Sequence, residues 1–334
     1  MMDRWLDSLS DRFVLDRRSL APASNDASFR RYFRIDAGKT AEVPSFIVMD
    51  APPPQEDCRP FVHAAAVFDR AGVNVPKVLA ADLDQGFLLL SDFGSTTYLS
   101  RLDAGSAPGL YRDALLALVG MQKASARGVF PDYSREILER ELMLFPEWYL
   151  HRHKQVDLDD NQRRVLLDSF ALILENNVAQ TSVFVHRDYH SRNLMVLPPG
   201  CNPGILDFQD ALHGPITYDL VSLLRDAYLR WDEEQVLDWA IRYWEMARQE
   251  GLPVTPDFAA FYRDFEWMGL QRHLKVLGIF ARLHHRDGKD NYLKDMPLVL
   301  DYVLQVVRRY VDLAPLARLL ETIENRTPSS GYTF

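Results

Sequence analysis

The chain has 334 residues, enough for about two domains or one large two-lobed domain. Hydrophobic residues make up 47% and charged residues 25%, so the chain can bury a substantial core without disulfides or structural metals. Its 38 basic and 47 acidic side chains give a net charge of -9, which argues against a broad surface for nucleic acids or membranes because such surfaces need clustered lysine and arginine.

The first quarter of the chain is predicted to form a small antiparallel sheet with one helix. A turn-like cluster at residues 22–26 precedes the first strand, and residues 59–71 have the spacing of a helix that ends at Gly72. The predicted strands are short aromatic or apolar runs, at residues 29–35, 45–49, 75–80 and 87–90.

From residue 95 onward the pattern changes to long helices. Apolar residues recur at helical spacing over residues 111–126, 135–151, 160–178, 233–248, 257–283 and 298–313. Short apolar runs interrupt this helical part and predict strands, at residues 183–185, 194–197 and 204–208. We therefore predict an α+β fold, with a nucleotide-binding lobe of antiparallel strands at residues 1–92 and a mainly helical lobe at residues 93–334.

Cysteine usage and the N-terminal composition predict a cytoplasmic protein. Cys58 and Cys201 cannot form a disulfide framework and are expected to be reduced thiols. Residues 1–20 contain no apolar segment of signal-peptide length, and no stretch approaches the roughly 20 apolar residues of a membrane span. We expect no membrane and no nucleic-acid partner, and the sequence does not indicate any protein partner.

The strongest chemical signal lies among the three short strands of the helical lobe. Residues 186–193 read HRDYHSRN and fit the phosphotransferase catalytic loop H-R-D-x-x-x-x-N. Asp207 and Phe208 then supply the metal-binding Asp-Phe pair. The segment between Asn193 and Asp207 leaves room for one short hairpin, so we expect both side chains to return to the same cleft.

Phosphoryl transfer explains why these residue types stand at these positions. The reaction needs a carboxylate near the attacking hydroxyl, and this is the role predicted for Asp188. It also needs hard oxygen ligands for Mg²⁺, which Asn193 and Asp207 can supply. His186 is expected to brace the loop by hydrogen bonds rather than to take part in the chemistry.

The segment after Asp207 separates two classes of kinase. Residues 207–215 lead almost directly into a helical pattern at residues 217–224. A protein kinase would carry an activation segment there, to support a peptide substrate. The acceptor is therefore predicted to be the hydroxyl of a small molecule.

At these residues the chain resembles the superfamily of aminoglycoside phosphotransferases and choline kinases, whose loop has the form H-x-D-x-H-x-x-N. Within it the chain is most similar to the bacterial anomeric sugar kinases that phosphorylate N-acetylmuramate and N-acetylglucosamine in peptidoglycan recycling. The stretches that carry this similarity are residues 25–34, 48–53, 207–220 and 271–278.

This resemblance, which covers nearly the whole chain, implies a two-lobed protein-kinase-like fold with ATP in the cleft between the lobes. It implies that Asp188 is the catalytic base and that Asn193 and Asp207 bind Mg²⁺. It also implies a hinge whose backbone meets the adenine, at Ser91, Asp92 and Phe93.

One departure from the superfamily concerns the phosphates of ATP. Most members carry a lysine on the third strand, but residues 46–50 read FIVMD, and the glutamate expected on the following helix is not evident. Ser28, Arg30 and Arg31, together with Arg34, offer a replacement because guanidinium groups suit phosphate oxygens. The alternative is a solvated basic strand.

The acceptor site is less legible in the sequence. Candidate substrate residues lie in the catalytic loop, after the metal-binding aspartate and on helical segments: His190, Asp210, Arg225, Glu147 and Trp148. A tryptophan can stack on a sugar ring, although core packing is the more frequent role of a helical tryptophan. Asp219 is expected to brace the catalytic loop from below.

Three functions remain open at this point. The first is an ATP- and Mg²⁺-dependent kinase for the anomeric hydroxyl of N-acetylmuramate or N-acetylglucosamine. The second is a kinase for another small alcohol, such as an aminoglycoside or an amino alcohol. The third is a nucleotide-binding regulator that has lost turnover along with the lysine, against which the intact Asp188, Asn193 and Asp207 argue.

Overall fold

In a computed structural model of the protein, residues 1–10, 12–24, 29–38 and 43–325 are described. Their α-helices, numbered in chain order, are Met2–Ser8 (α1), Arg59–Arg70 (α2), Tyr98–Arg101 (α3), Ala107–Lys123 (α4), Arg135–Leu142 (α5), Asp160–Ala179 (α6), Tyr218–Leu224 (α7), Glu233–Gln249 (α8), Phe258–Asp287 (α9), Met296–Arg309 (α10) and Ala314–Ile323 (α11). Their strands are Leu15–Ser24 (β1), Arg31–Ala37 (β2), Ser45–Asp50 (β3), Val78–Asp82 (β4), Phe87–Ser91 (β5), Ser182–Val185 (β6), Leu194–Met195 (β7), Gly204–Ile205 (β8) and Leu212–Pro215 (β9). A π-helix spans Phe145–His153, and 3₁₀ turns span Asp290–Asp295 and Val311–Leu313.

The internal contacts divide the chain into two units. The N-terminal unit comprises residues 1–113 and 192–210, and the C-terminal unit comprises residues 114–191 and 211–334. The hairpin of β7 and β8 thus belongs to the N-terminal unit. The lobe boundary predicted after residue 92 stays a prediction.

The N-terminal unit is built on a five-stranded antiparallel sheet in the order β1-β2-β3-β5-β4. Ile35, Val48 and Leu89 come from three different strands and form the centre of its core. Alternate side chains of each strand point to the same face of the sheet, so neighbouring strands can contribute side chains to one cluster. Trp5 and Leu6 of α1 pack onto this cluster. The short, charged α1 is therefore held by two apolar side chains.

Helix α2 fixes the segment that follows β8. Its buried side chains recur at helical spacing, and two of them, Phe61 and Phe68, contact the ring of Phe208 at centroid distances of 4.7 and 6.0 Å. Phe208 is fully buried. The residue next to Asp207 is thereby held in the core of the unit.

The C-terminal unit is organised around α9, a 30-residue helix that packs against α5, α6, α7, α8, α10 and the π-helix. Because it has neighbours on all sides, it buries polar as well as apolar side chains, among them Arg272 and Lys275. At Gly278 the helix lies so close to the backbone of Leu144 that a Cβ atom there would be 2.5 Å from the Leu144 carbonyl.

The predicted α+β fold, with an antiparallel sheet followed by a mainly helical part, is confirmed. Several elements differ from their prediction. Pro22, placed in a turn, lies in β1, where a proline is tolerated because β1 is an edge strand. The helix predicted over residues 135–151 ends at Leu142 and is followed by the π-helix, whose Pro146 cannot donate a backbone hydrogen bond. Helices α1, α3 and α11 and strands β1 and β9 were not predicted.

Candidate active site

The catalytic loop begins directly after β6 in the C-terminal unit. The Asp219 carboxylate accepts hydrogen bonds from the backbone N–H groups of His186 (2.6 Å) and Arg187 (3.0 Å). Burial raises the pKa of Asp219 to about 7, although these two bonds favour its charged form. His186 is fully buried, and its Nδ1 accepts from the N–H of Asp188 at 3.2 Å. The predicted bracing roles of Asp219 and His186 are confirmed.

Asp188 lies among positive charges. Burial would raise the pKa of its carboxyl, but Lys275, His190, Arg272 and Arg187 outweigh that effect and hold the pKa at about 2. The side chain is 43% exposed, so an incoming group can reach it. Asp188 is therefore an accessible, permanently ionised carboxylate at neutral pH.

A buried charge cluster supports the loop from behind, and the sequence did not reveal it. Glu141 of α5 accepts hydrogen bonds from Arg187 (2.6 Å) and Tyr133 (2.5 Å) and lies 3.3 Å from the Lys275 ammonium. Lys275 also donates to the Tyr218 hydroxyl at 2.8 Å. Burial and this partner set restrain Arg187, whose backbone φ of +80° is rare for a residue other than glycine.

The end of the loop in this unit is held by Asp226. The N–H and hydroxyl of Ser191 both donate to one Asp226 carboxylate oxygen, at 2.9 and 2.5 Å. His190 lies against the ring of Tyr228, with centroids 5.4 Å apart. The loop is thus tied to the segment that follows α7.

Arg225, a predicted substrate residue, lies in a buried ion pair. Its guanidinium donates to Glu266 at 2.8 Å, and Glu266 also accepts from Arg309 (2.5 Å) and Tyr310 (2.7 Å). The side chain of Arg225 is only 2% exposed. Its described contacts are those of a structural residue, and a role at the substrate stays a prediction.

Asn193 and Asp207 come together in the N-terminal unit through the predicted hairpin. Strands β7 and β8 pair Leu194 with Ile205, and the Asn193 amide donates to the Asp207 carboxylate at 3.3 Å. Gln209 donates to Asp207 at 2.8 Å and to Asp210 at 3.4 Å. Asp210 thus lies near the two predicted metal ligands, and its role at the substrate stays a prediction.

The ligand atoms of Asn193 and Asp207 are of the type that a small divalent cation binds, but these side chains are few. Carboxylate and amide oxygens are the ligands that Mg²⁺ takes from proteins, and it completes its shell with waters and substrate phosphates. Among the described residues there is no group of three or more histidine, cysteine, aspartate or glutamate side chains that could hold a metal ion. A role of Asn193 and Asp207 at a metal stays a prediction.

The arginines proposed to replace the missing lysine have different partners. Arg30 donates to Glu56 at 3.1 Å and is 13% exposed. Burial would lower the pKa of Arg30, but the charges of Tyr32, Glu56, Asp207 and Asp210 raise it. Glu56 lies just before α2. The acidic partner of Arg30 therefore precedes the helix on which a glutamate was expected. Ser28 lies outside the described residues.

Arg31 and Arg34 are engaged elsewhere in the sheet. Arg31 is 63% exposed and pairs with Asp50. Arg34 pairs with Asp92 at 2.5 Å and donates to the Gly94 carbonyl at 2.7 Å. The charge of Asp207 acts on Arg30.

The three predicted hinge residues use their side chains within the N-terminal unit. The Ser91 hydroxyl accepts from the Lys77 N–H at 2.9 Å, and Asp92 also accepts from Ser45 at 2.7 Å. Phe93 packs so closely over Gly204 that a Cβ there would be 2.6 Å from the ring. A contact with adenine would fall to the backbone of these residues and stays a prediction.

Glu147 and Trp148, the remaining substrate candidates, lie on the π-helix. Glu147 is exposed, and its charge acts on Arg282 of α9. Trp148 is half-buried. The described contacts do not join either residue to the catalytic loop, and their role stays a prediction.

Known proteins are similar to this chain over most of its length. Residues 19–252 match the model of the phosphotransferase enzyme family. An N-acetylmuramate/N-acetylglucosamine kinase of Pseudomonas aeruginosa is 50% identical over 96% of this chain and 95% of its own length. The enzyme of the same name from Neisseria meningitidis is 47% identical, over 100% of this chain and 98% of its own.

Solved structures share the fold at low sequence identity. The choline kinase LicA from Streptococcus pneumoniae has a TM-score of 0.63 at 12% identity and covers 91% of this chain and 99% of its own. The ADP-bound aminoglycoside phosphotransferase APH(2'')-Ib has a TM-score of 0.55 at 15% identity and covers 92% of this chain and 99% of its own. No helix within the described residue ranges is long and apolar enough to cross a membrane.

Proposed function

The chain belongs to the phosphotransferase enzyme family, and on that premise we propose that it transfers the terminal phosphate of ATP to the anomeric hydroxyl of N-acetylmuramate and N-acetylglucosamine. The observation that carries this proposal is 45–50% identity, over nearly the full length, to three kinases named for these two sugars. A place in the recycling of cell-wall sugars, in the cytoplasm, is part of the same proposal.

The chemistry of Asp188 supports this reaction. We assign to its carboxylate the orientation of the attacking hydroxyl and the acceptance of its proton. A group whose pKa is about 2 is a weak base, but phosphoryl transfer passes through a loose transition state in which the hydroxyl loses its proton late. Orientation is therefore the larger part of its proposed contribution.

The proposal divides phosphate binding between oxygen ligands and one guanidinium. Asn193 and Asp207 would hold Mg²⁺, which offsets the phosphate charge when bound. Arg30 would bind the phosphates in place of the family's lysine, held in position by Glu56 as that lysine is by its glutamate. A guanidinium can take this role because it matches phosphate oxygens with two parallel N–H groups.

A kinase for a cationic alcohol is the competing candidate, and the charges in the C-terminal unit oppose it. Lys275, Arg272 and Arg187 all act on Asp188, so a cationic acceptor would meet like charge there.

An ATP-consumption screen tests the function. The purified chain is supplied with ATP and Mg²⁺ and one acceptor at a time: N-acetylmuramate, N-acetylglucosamine, an aminoglycoside or choline. Asp188→Asn protein that is expressed and purified in the same way controls for contaminating kinases. The methyl glycosides of the two sugars, in which the anomeric oxygen is blocked, should not be phosphorylated. Turnover of those glycosides, or turnover of choline or the aminoglycoside in place of the sugars, would refute the proposal.

A further inference from the structure

Arg272 of α9 is a buried cation beside the proposed catalytic base. Its side chain is 4% exposed, and one terminal nitrogen, Nη2, lies 4.0 Å from the Asp188 carboxylate. Over the parts of the chain that the structure describes, its Nε and Nη1 atoms are buried and donate to no acceptor. A guanidinium with unfilled donors in the interior is costly, and an anionic ligand would remove much of that cost.

The other two described cations of helix and loop near the base share one carboxylate, that of Glu141. Arg187 and Lys275 both contact Glu141, and Lys275 has a further partner in Tyr218. Arg272 has no carboxylate within hydrogen-bonding distance among the described residues, since its Asp188 contact is too long for a hydrogen bond. Arg272 thus differs from Arg187 and Lys275 in that its guanidinium makes no hydrogen bond to a carboxylate within the described residues, although its charge acts on Asp188 and Asp219.

Aromatic side chains adjoin the catalytic loop in the C-terminal unit. Tyr228 is half-buried and contacts His190 of the catalytic loop and Phe280 of α9, with ring centroids at 5.4 and 6.2 Å. Phe280 is buried and in turn contacts Tyr292 at 5.1 Å. Flat aromatic surface with a few placed polar groups is typical of a site for a small polar ligand.

We propose that Arg272 is the residue that selects the acidic sugar, by binding the lactate carboxylate of N-acetylmuramate while the anomeric hydroxyl lies at Asp188. This inference rests on the proposed function. N-acetylglucosamine lacks the carboxylate and so would offer the unfilled donors of Arg272 no anionic acceptor. The fork of a guanidinium can hold a carboxylate with two parallel hydrogen bonds, which a neutral side chain cannot do. The expected gain is about ten- to a hundredfold in KM.

Steady-state kinetics of Arg272→Gln test the assignment with both sugars. We expect KM for N-acetylmuramate to rise by about ten- to a hundredfold, with KM for N-acetylglucosamine and for ATP changed less than about threefold. Arg272→Lys should recover part of the loss, because it restores the charge without the fork. Arg282→Gln is the matched control on the same helix, and it should leave the ratio between the two sugars unchanged.

A second measurement needs no variant. The methyl ester of N-acetylmuramate removes the negative charge, and with the unaltered protein its KM should rise as much as Arg272→Gln raises that of the acid. An equal fall in kcat for both sugars would show that Arg272 serves only Asp188. An equal rise in the KM for ATP would show that its anion is a phosphate. Either result overturns the inference, whereas failure of the unaltered protein to phosphorylate both sugars refutes the proposed function itself.

Discussion

Gly278→Ala is expected to destabilise the protein, although alanine is the better helix former. The added Cβ would lie 2.5 Å from the carbonyl carbon and oxygen of Leu144 and 2.7 Å from its Cβ, whereas ordinary contact begins at 3.4 Å. The neighbouring atoms belong to the backbone or lie next to it, so α9 or the Leu144 segment must move by nearly 1 Å. Overpacking of this kind costs about 1–3 kcal/mol, against about 0.5–1 kcal/mol gained in helix propensity.

Gly269→Ala is the matched control, because it makes the same change in the same helix. Its Cβ would lie 3.6 Å from Val221, an ordinary contact, so it should stabilise by about 0.5–1 kcal/mol. Urea unfolding of the three proteins is followed by circular dichroism. The midpoint should be highest for Gly269→Ala, intermediate for the unaltered protein and lowest for Gly278→Ala. A midpoint for Gly278→Ala at or above that of the unaltered protein would refute the packing argument.

Four further results are expected. Asp188→Asn should fold normally and lose about 10²–10⁴-fold in kcat, as judged by circular dichroism and an ATP-coupled assay; near-normal turnover would contradict its role. The pKa of Asp188 is about 2, and its protonation would remove the acceptor of the hydroxyl proton. Protonation of Asp188 should therefore not lower kcat until the pH falls far below 5. A fall in kcat that is due to Asp188 and has its midpoint near pH 4 would contradict this. Asp207→Ala should weaken Mg²⁺-dependent ATP binding in calorimetry more than Asn193→Ala does, since the amide brings no charge; equal affinities in Asp207→Ala and the unaltered protein would rule out the metal role. Arg30→Ala should raise KM for ATP by about ten- to a hundredfold, whereas the exposed Arg31→Ala should change it little; the reverse order would move the phosphate contact to Arg31.

The parts of the candidate site that the sequence predicted are those written in one continuous stretch. Asp188 and Asn193 stand in a single loop motif, and Asp207 follows at hairpin spacing. The pairing of Leu194 with Ile205 confirms that hairpin. Short strands on both sides leave the loop few alternatives, so local pattern was sufficient there.

The supporting contacts could not be predicted because they join distant segments. Arg30 meets Glu56 across 26 positions, and Arg187 meets Glu141 across 46. Lys275 lies on a helix far along the chain, where a charged residue in a helical pattern is ordinarily assigned to a solvated face. Only the packing of α9 between several neighbours shows that this cation is buried.

The backbone at Arg187 sets two demands against each other. A left-handed conformation costs roughly 1–2 kcal/mol for a residue with a Cβ, so glycine would suit the main chain better. Yet the guanidinium donates a hydrogen bond to Glu141 and lies over the ring of Tyr133, with 5.6 Å between its central carbon and the ring centroid. Arg187→Gly would relax the turn but remove the counter-ion of Glu141 from the interior. A variant that keeps the positive charge at this position also keeps the strained turn. Redesign of the loop would therefore have to change Arg187 and Glu141 as a pair.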